Sequence, residues 1–439
     1  MVIAISVVLV LICIFLGMGI PFSFLAGSIF WAMLDGSSMG NFVSTSYYSL
    51  DAYSLLALPL FMAAGILLDH SGIAKRLVDL ADILLRKSKG GMGATIPVVS
   101  AFFGALSGSG LACCTTVSNM LGPRLEKKGW DRNYLAAMAC AASPLGYMIP
   151  PNMNAIVFTK VSDASVGALF MATLIPGIIW TLLYVLVNRI IYTKFYDPSK
   201  AITDNDEFDV DESIKDTWMY KWRVIRSAIP AFLMPVIILG GIYGGVFTAT
   251  EAGGVACVYG LIVGVFVYKG IKTRKEVFNV FYETGYSIGT ILMIFPMTLI
   301  FSRLLVVNGV PEMITKFMLG FTTNKYIILI LLDILLVVSG FFLDCNVLLL
   351  VLTPLLLPTT NAIGISQIHL ASIIFVAIGL GSMTPPMATA LYIAVRICKA
   401  DLMKTCKALV PLFLLAGVPI LVLVTFCPAV CEWLPSLLV

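Results

Sequence analysis

Four short runs interrupt otherwise apolar sequence: Ser107-Gly108-Ser109-Gly110, Pro150-Pro151-Asn152, Gly340 with Asp344 just beyond it, and Thr384-Pro385-Pro386. Their chemistry is mostly that of neutral oxygen. Hydroxyls, an amide and carbonyls released from a helix ladder suit a hard cation, and freed helix ends can attract an anion. Glycine lets backbone turn and approach a ligand closely. Each proline removes an N–H and disfavours helix in the residue before it, so Pro-Pro breaks a helix and frees carbonyls. On this reading Ser107, Gly108, Ser109, Ser143 and Asn152 surround one Na⁺, and Gly340, Asp344 and Thr384 a second. Ser109, Pro151, Arg303 and Pro386 are candidate contacts for a small anion nearby.

Several of these residues have plainer readings. Acids inside apolar sequence are rare and costly, which singles out Asp333 and Asp344. Asp333 has the alternative of pairing with polar groups of a surrounding frame. Arg303 ends an apolar run, where snorkelling to the interface competes with a ligand role. The ten cysteines lie mostly in apolar runs without metal spacing, and adjacent Cys113 and Cys114 read as small packing residues. The two histidines, His70 and His369, are far apart, which argues against a histidine metal site. No Gly-rich loop ending in Gly-Lys-Ser/Thr is present, so ATP hydrolysis by this chain is not expected. No His-rich or paired-acid cluster favours a membrane enzyme acting on a lipid-linked substrate.

The elements that must hold these runs are membrane helices. The 439 residues are 59% hydrophobic and 12% charged, with mean hydropathy +0.99, against roughly 25% charge in soluble domains. Such a chain belongs in a bilayer with many spans. The net charge of +4 reflects loop Lys and Arg, not a nucleic-acid surface. The first apolar run lacks the basic start of a cleaved signal and is expected to be a retained span. Spans are expected at about 2–17, 20–35, 52–69, 134–156, 167–193, 227–243, 253–268, 279–304, 367–396 and 408–427. Residues 94–121 and 326–358 each read as one span or as a hairpin. Basic sequence flanks 94–121 on both sides, in 74–89 and 124–132. Basic loops prefer the cytoplasm, so the segment is expected to dip in and return with its turn at Ser107–Gly110. Non-helical backbone at that depth survives only against protein or a wet cavity. Residues 73–87 are expected to lie along the interface, with Ile73, Leu77, Leu80 and Leu84 at helical spacing and Lys75, Arg76, Asp79, Asp82 and Arg86 on other faces. The mixed-charge stretch 194–226 reads as a solvated cytoplasmic connector.

Two series of features recur. "SGIAKRLVDLA", "GALSGSG" and "SPLGYMIPPN" in one half answer to "NGVPEMITKFM", "SGFFLD" and "GLGSMTPPMA" in the other. Gly72, Ser107 and Pro150 are separated by 35 and 43 residues, and Gly309, Gly340 and Pro385 by 31 and 45. An odd number of expected crossings between the hairpins makes the second unit enter from the opposite side. That is an inverted repeat, with residues 1–195 as the first unit, 196–226 the linker and 227–439 the second.

"LLALPLFMAAGILLDHSGIAKRLVDLA" (55–81), "GGMGA" (90–94), "ALSGSG" (105–110), "MIPPN" (148–152) and "SMTPPMA" (382–388) together resemble the large membrane subunit of tripartite ATP-independent periplasmic (TRAP) transporters. The resemblance covers nearly the whole chain. It implies an all-α polytopic protein with inverted repeats and two re-entrant hairpins, sited in the bacterial inner membrane. It also implies elevator-type, Na⁺-driven uptake of an organic-acid anion such as a C4-dicarboxylate or sialic acid. The implied partners are a small membrane subunit and a soluble periplasmic binding protein. Asp344 matches the family's hairpin position. Gly110, Asn152, Met387-Ala388 and Ile66 depart from residues common in the family, which leaves the substrate open. A proton-coupled exchanger using an Asp relay is the alternative transport class.

Overall fold

The computed structural model describes residues 2–36, 39–85, 87–201, 217–386 and 388–437. Among the described residues seven helices are long and apolar enough to cross a membrane: Tyr53–His70, Val166–Lys194, Trp218–Tyr243, Ala249–Val267, Arg274–Val307, Cys345–Ala362 and Leu402–Phe426. Shorter apolar helices cover Val2–Phe15, Ile20–Asp35, Gly91–Ser107 and Gln367–Ser382. The fold is all-helical, as the composition requires. A bilayer offers no water to unpaired backbone, so the chain satisfies its N–H and C=O groups within helices.

Residues 94–121 are a helical hairpin. Its arms are Gly91–Ser107 and Gly110–Lys127. Gly108 makes the turn with φ +61°, and its N–H donates to the Gly104 carbonyl at 2.9 Å. Only glycine enters that left-handed conformation without steric cost. The arms fold back on each other, so that Cys113 Sγ lies 3.4 Å from the Ser100 carbonyl oxygen. The second hairpin has arms Lys325–Gly340 and Cys345–Ala362. Its first arm packs mainly against Gln367–Ser382, and its second against Arg274–Val307 and Val310–Phe321 as well as Gln367–Ser382.

The expected span 134–156 is three pieces, Arg132–Ala142, Leu145–Met148 and Met153–Phe158. The expected span 367–396 is two, Gln367–Ser382 and Thr389–Ile397. Pro150-Pro151 and Pro385-Pro386, both cis, occupy the breaks. The pieces are exchanged between halves of the chain. The second arm of the first hairpin meets the piece after the second break, where Cys114 Sγ is 3.4 Å from the Ala390 carbonyl. Reciprocally, Asn154 Nδ2, just past the first break, donates to Cys345 Sγ at 3.0 Å, where the second arm of the second hairpin begins.

Two expectations are refined. The amphipathic helix forms over Ile73–Leu85, with Ile73, Leu77 and Leu80 buried against the first hairpin and Trp218–Tyr243 while Leu84 stays exposed. Its acids meet protein as well as water: Asp79 and Asp82 lie 3.6 and 3.7 Å from Arg124 on the hairpin. Arg86 lies outside the described residues. The connector is exposed at Lys194 and at 198–201, but it is docked in between, with the Asp131 N–H donating to the Phe195 carbonyl at 2.8 Å and the Tyr134 and Phe195 rings stacked at 4.4 Å. Its end is already helix from Trp218. Residues 202–216 between them lie outside the described residues.

Candidate ion and substrate site

Both hairpin tips and both broken helices contribute to one cavity of about 610 Å³. Ser109 is at its wall as the N-cap of the second hairpin arm, its Oγ accepting from the Ala112 N–H at 3.4 Å. A capping hydroxyl satisfies one of the four orphan N–H groups at a helix start. Gly108 and Ser143 line the same wall. Across the cavity Gly340 ends the first arm of the second hairpin and Asp344 caps the second arm, with Oδ1 accepting from the Asn346 N–H at 2.9 Å and Nδ2 at 3.1 Å.

Close backbone approach sets this geometry. A Cβ on Gly108 would lie 2.8 Å from the Pro151 carbonyl oxygen, so the tip sits directly on the first break. Gly65 of the Ala57–His70 helix is as tightly placed against Ser107, at 2.9 Å from its Cα. Such contacts are open only to residues without a side chain.

Ser109, Gly108, Ser143, Gly340 and Asp344 are thus brought together. Ser107 lies behind the tip, its Oγ 3.4 Å from the Ser109 amide nitrogen. Asn152 is buried, and its polar atoms are engaged: Oδ1 accepts from the Ala155 N–H at 2.8 Å, and Nδ2 donates to Thr173 Oγ1 at 3.1 Å. Thr384 Oγ1 donates to the Leu380 carbonyl at 3.0 Å. Pro151 is buried at its break, whereas Pro386 is exposed at the other. Arg303 is not brought to the cavity; its Nη1 donates to Thr45 Oγ1 at 3.2 Å on helix Met39–Leu50. Asp333 pairs inside the fold, accepting from the Thr425 hydroxyl at 2.9 and 3.2 Å. His369 Nε2 is 2.8 Å from the Val424 carbonyl oxygen, and no cluster of His, Cys, Asp or Glu among the described residues could hold a metal ion.

Sequence reasoning missed Tyr147, Ser382, Asn154 and Asn346, which also line the cavity. The Tyr147 hydroxyl and Ser382 Oγ are 3.1 Å apart and join the two broken helices. Each lies three residues before a Pro-Pro, about one helical turn back on the face that carries the break. That spacing was the available signal.

A multi-pass helical body with two hairpins and two interrupted helices around one cavity of mixed polar and apolar lining is the architecture of a membrane transporter, and the comparisons agree. The family model described as "Tripartite ATP-independent periplasmic transporter, DctM component" matches residues 5–430. The chain belongs to that family: it is a large permease component, a multi-pass protein of the inner membrane and a transporter, not an enzyme. It is 31% identical over 419 residues to the isethionate TRAP transporter permease protein DctMQ of Oleidesulfovibrio alaskensis, covering 95% of this chain and 64% of that one. The chain therefore spans somewhat under two thirds of that relative's length. It is 29% identical to the C4-dicarboxylate TRAP transporter large permease protein DctM of Rhodobacter capsulatus, covering 89% of each. The crystal structure of the Alcanivorax borkumensis YdaH transporter has the same fold at TM-score 0.62 and 17% identity, covering 90% of this chain and 88% of that one.

Proposed function

We propose that this chain takes up a small organic-acid anion by coupling it to Na⁺. The observation that carries the reading is the convergence of both hairpin tips and both broken helices on one cavity rich in neutral oxygens. Na⁺ prefers oxygen ligands. Ser107 and Ser109 with the carbonyls of their turn suit one ion, and Asp344 with the end of the Gly340 arm suits a second. Half-helix ends and unwound backbone at mid-membrane are where secondary transporters hold ions and substrates. Relatives named for a C4-dicarboxylate and for isethionate carry organic anions. Movement of the hairpin-bearing body past the helices Tyr53–His70 and Arg274–Val307, in the manner of an elevator, turns the cavity from one face to the other. The "tripartite" of the family description supports work with a small membrane subunit and a periplasmic binding protein.

The test is uptake by proteoliposomes holding the chain and both partners, with and without an inward Na⁺ gradient. The double variant Ser107→Ala, Ser109→Ala should raise the Na⁺ concentration for half-maximal uptake while folded protein stays in the membrane. Unchanged Na⁺ dependence reduces the turn to packing. One observation favours a proton-coupled alternative: Asp333 is a buried acid whose recorded hydrogen-bond partner is a hydroxyl. Asp333→Asn keeps that hydrogen bond, so Na⁺ coupling predicts uptake within about twofold of the parent protein. Full-rate uptake without Na⁺, lost in Asp333→Asn, sinks the Na⁺ reading.

A further inference from the structure

The cavity's charge is asymmetric. Among its described lining residues none is Lys, Arg or His, and the only ionisable carboxylate is Asp344. Its polar wall includes Ser109, Ser143, Tyr147, Asn154, Asn346 and Ser382, which come from the hairpins and the broken helices. Other helices supply a mainly apolar wall: Leu58 from Ala57–His70, and Ile291, Met293 and Ile294 beside Thr290 from Arg274–Val307. Phe342 and Leu343 of the second tip extend it. An apolar surface of this extent strips water from a compact polar ion without replacing its hydrogen bonds. It rewards a ligand that carries an apolar body of its own.

We propose that the cavity takes an organic monoanion with an apolar body and a hydrogen-bond-donating group, in preference to a compact dianion. This inference rests on the Na⁺-coupled reading of the site. Two Na⁺ against the Asp344 carboxylate leave one positive charge, which one carboxylate of the ligand neutralises. A second carboxylate leaves the site negative in a medium where unpaired charge is expensive. It would also have to share the cavity with Asp344, with no basic side chain in the described lining to separate them. A hydroxyl on the ligand instead has an acceptor in Asp344.

The test is ligand-dependent thermal stabilisation of the full chain in lipid nanodiscs at saturating Na⁺, because a ligand bound only to the folded state stabilises it by RT ln(1 + c/Kd) at free ligand concentration c, so the concentration that gives a set rise in melting midpoint ranks the ligands by affinity. The probes are leucate (a branched hydroxy monocarboxylate), its neutral amide, succinate and isethionate. Leucate should give a set rise in midpoint at a concentration at least about tenfold below that of succinate, with isethionate between them and the amide without effect. Asp344→Asn, which can still cap its helix, should bring succinate within about threefold of leucate. Succinate binding as tightly as leucate in the parent protein overturns the proposal and leaves the cavity reading intact. Isethionate as tight as leucate removes the apolar body from it. If no probe shifts the midpoint, or Ser109→Ala leaves every shift unchanged, the cavity is not the site, and the proposed function falls with it.

Discussion

Gly340 and Gly381 are in backbone contact. A Cβ on Gly340 would lie 2.8 Å from the Gly381 Cα, and one on Gly381 would lie 2.5 Å from the Gly340 Cα. Neither position has positive φ, so the requirement is for space, not conformation. The first half has its counterpart, where Gly146 would meet the Gly110 Cα at 2.8 Å. Gly381→Ala forces two backbones apart in a close-packed interior, which costs about 1–3 kcal/mol. Its melting midpoint in detergent should fall clearly below that of Gly254→Ala, a site with open space around it. Equal midpoints would show that the contact is not held. At this scale the sequence was readable for residues that break helices. Gly340 and the Pro-Pro pairs announce themselves by propensity, and the structure puts them at turns and breaks. Gly381, Tyr147 and Ser382 do not, because their roles come from a partner remote in sequence. Asn152, assigned to an ion from the sequence, has its Oδ1 on the cap of Met153–Phe158, as Ser109 and Asp344 cap their own helices.

The hairpins are the elements on which the transport reading stands. If both ends of the first hairpin lie on one side of the membrane, cysteines placed at Lys89 and Lys128 in a cysteine-reduced background should react with an impermeant reagent from that side. Opposite accessibility would make 94–121 a crossing and remove the inverted repeat. The turn was legible in Ser-Gly-Ser-Gly because glycine and serine are poor helix formers. The interruption at Pro144 was not, because Leu145–Met148 continues the apolar run. The helix Ile73–Leu85 was right in period, and more protein packs against it than the sequence showed. Alternation of apolar and charged residues shows which face is buried, but not whether the other face meets lipid headgroups, water or, as with Arg124, another part of the same chain.

At the scale of the molecule, the described helices form a permease body with no substrate-catching domain among them. Uptake by the reconstituted chain alone should therefore be slight, and should rise on adding the small membrane subunit and the binding protein. Full-rate uptake by the chain alone would contradict the tripartite arrangement. The paired contacts Cys114 to Ala390 and Asn154 to Cys345 bind each half of the chain to the other's broken helix. Their consequence is historical. If the halves descend from one duplicated ancestor, neither copy was free to diverge alone, because a change in either hairpin is tested against the neighbouring copy's broken helix. Accepted changes at these contacts should occur as matched pairs across lineages, so the two halves carry a record of each other's mutations.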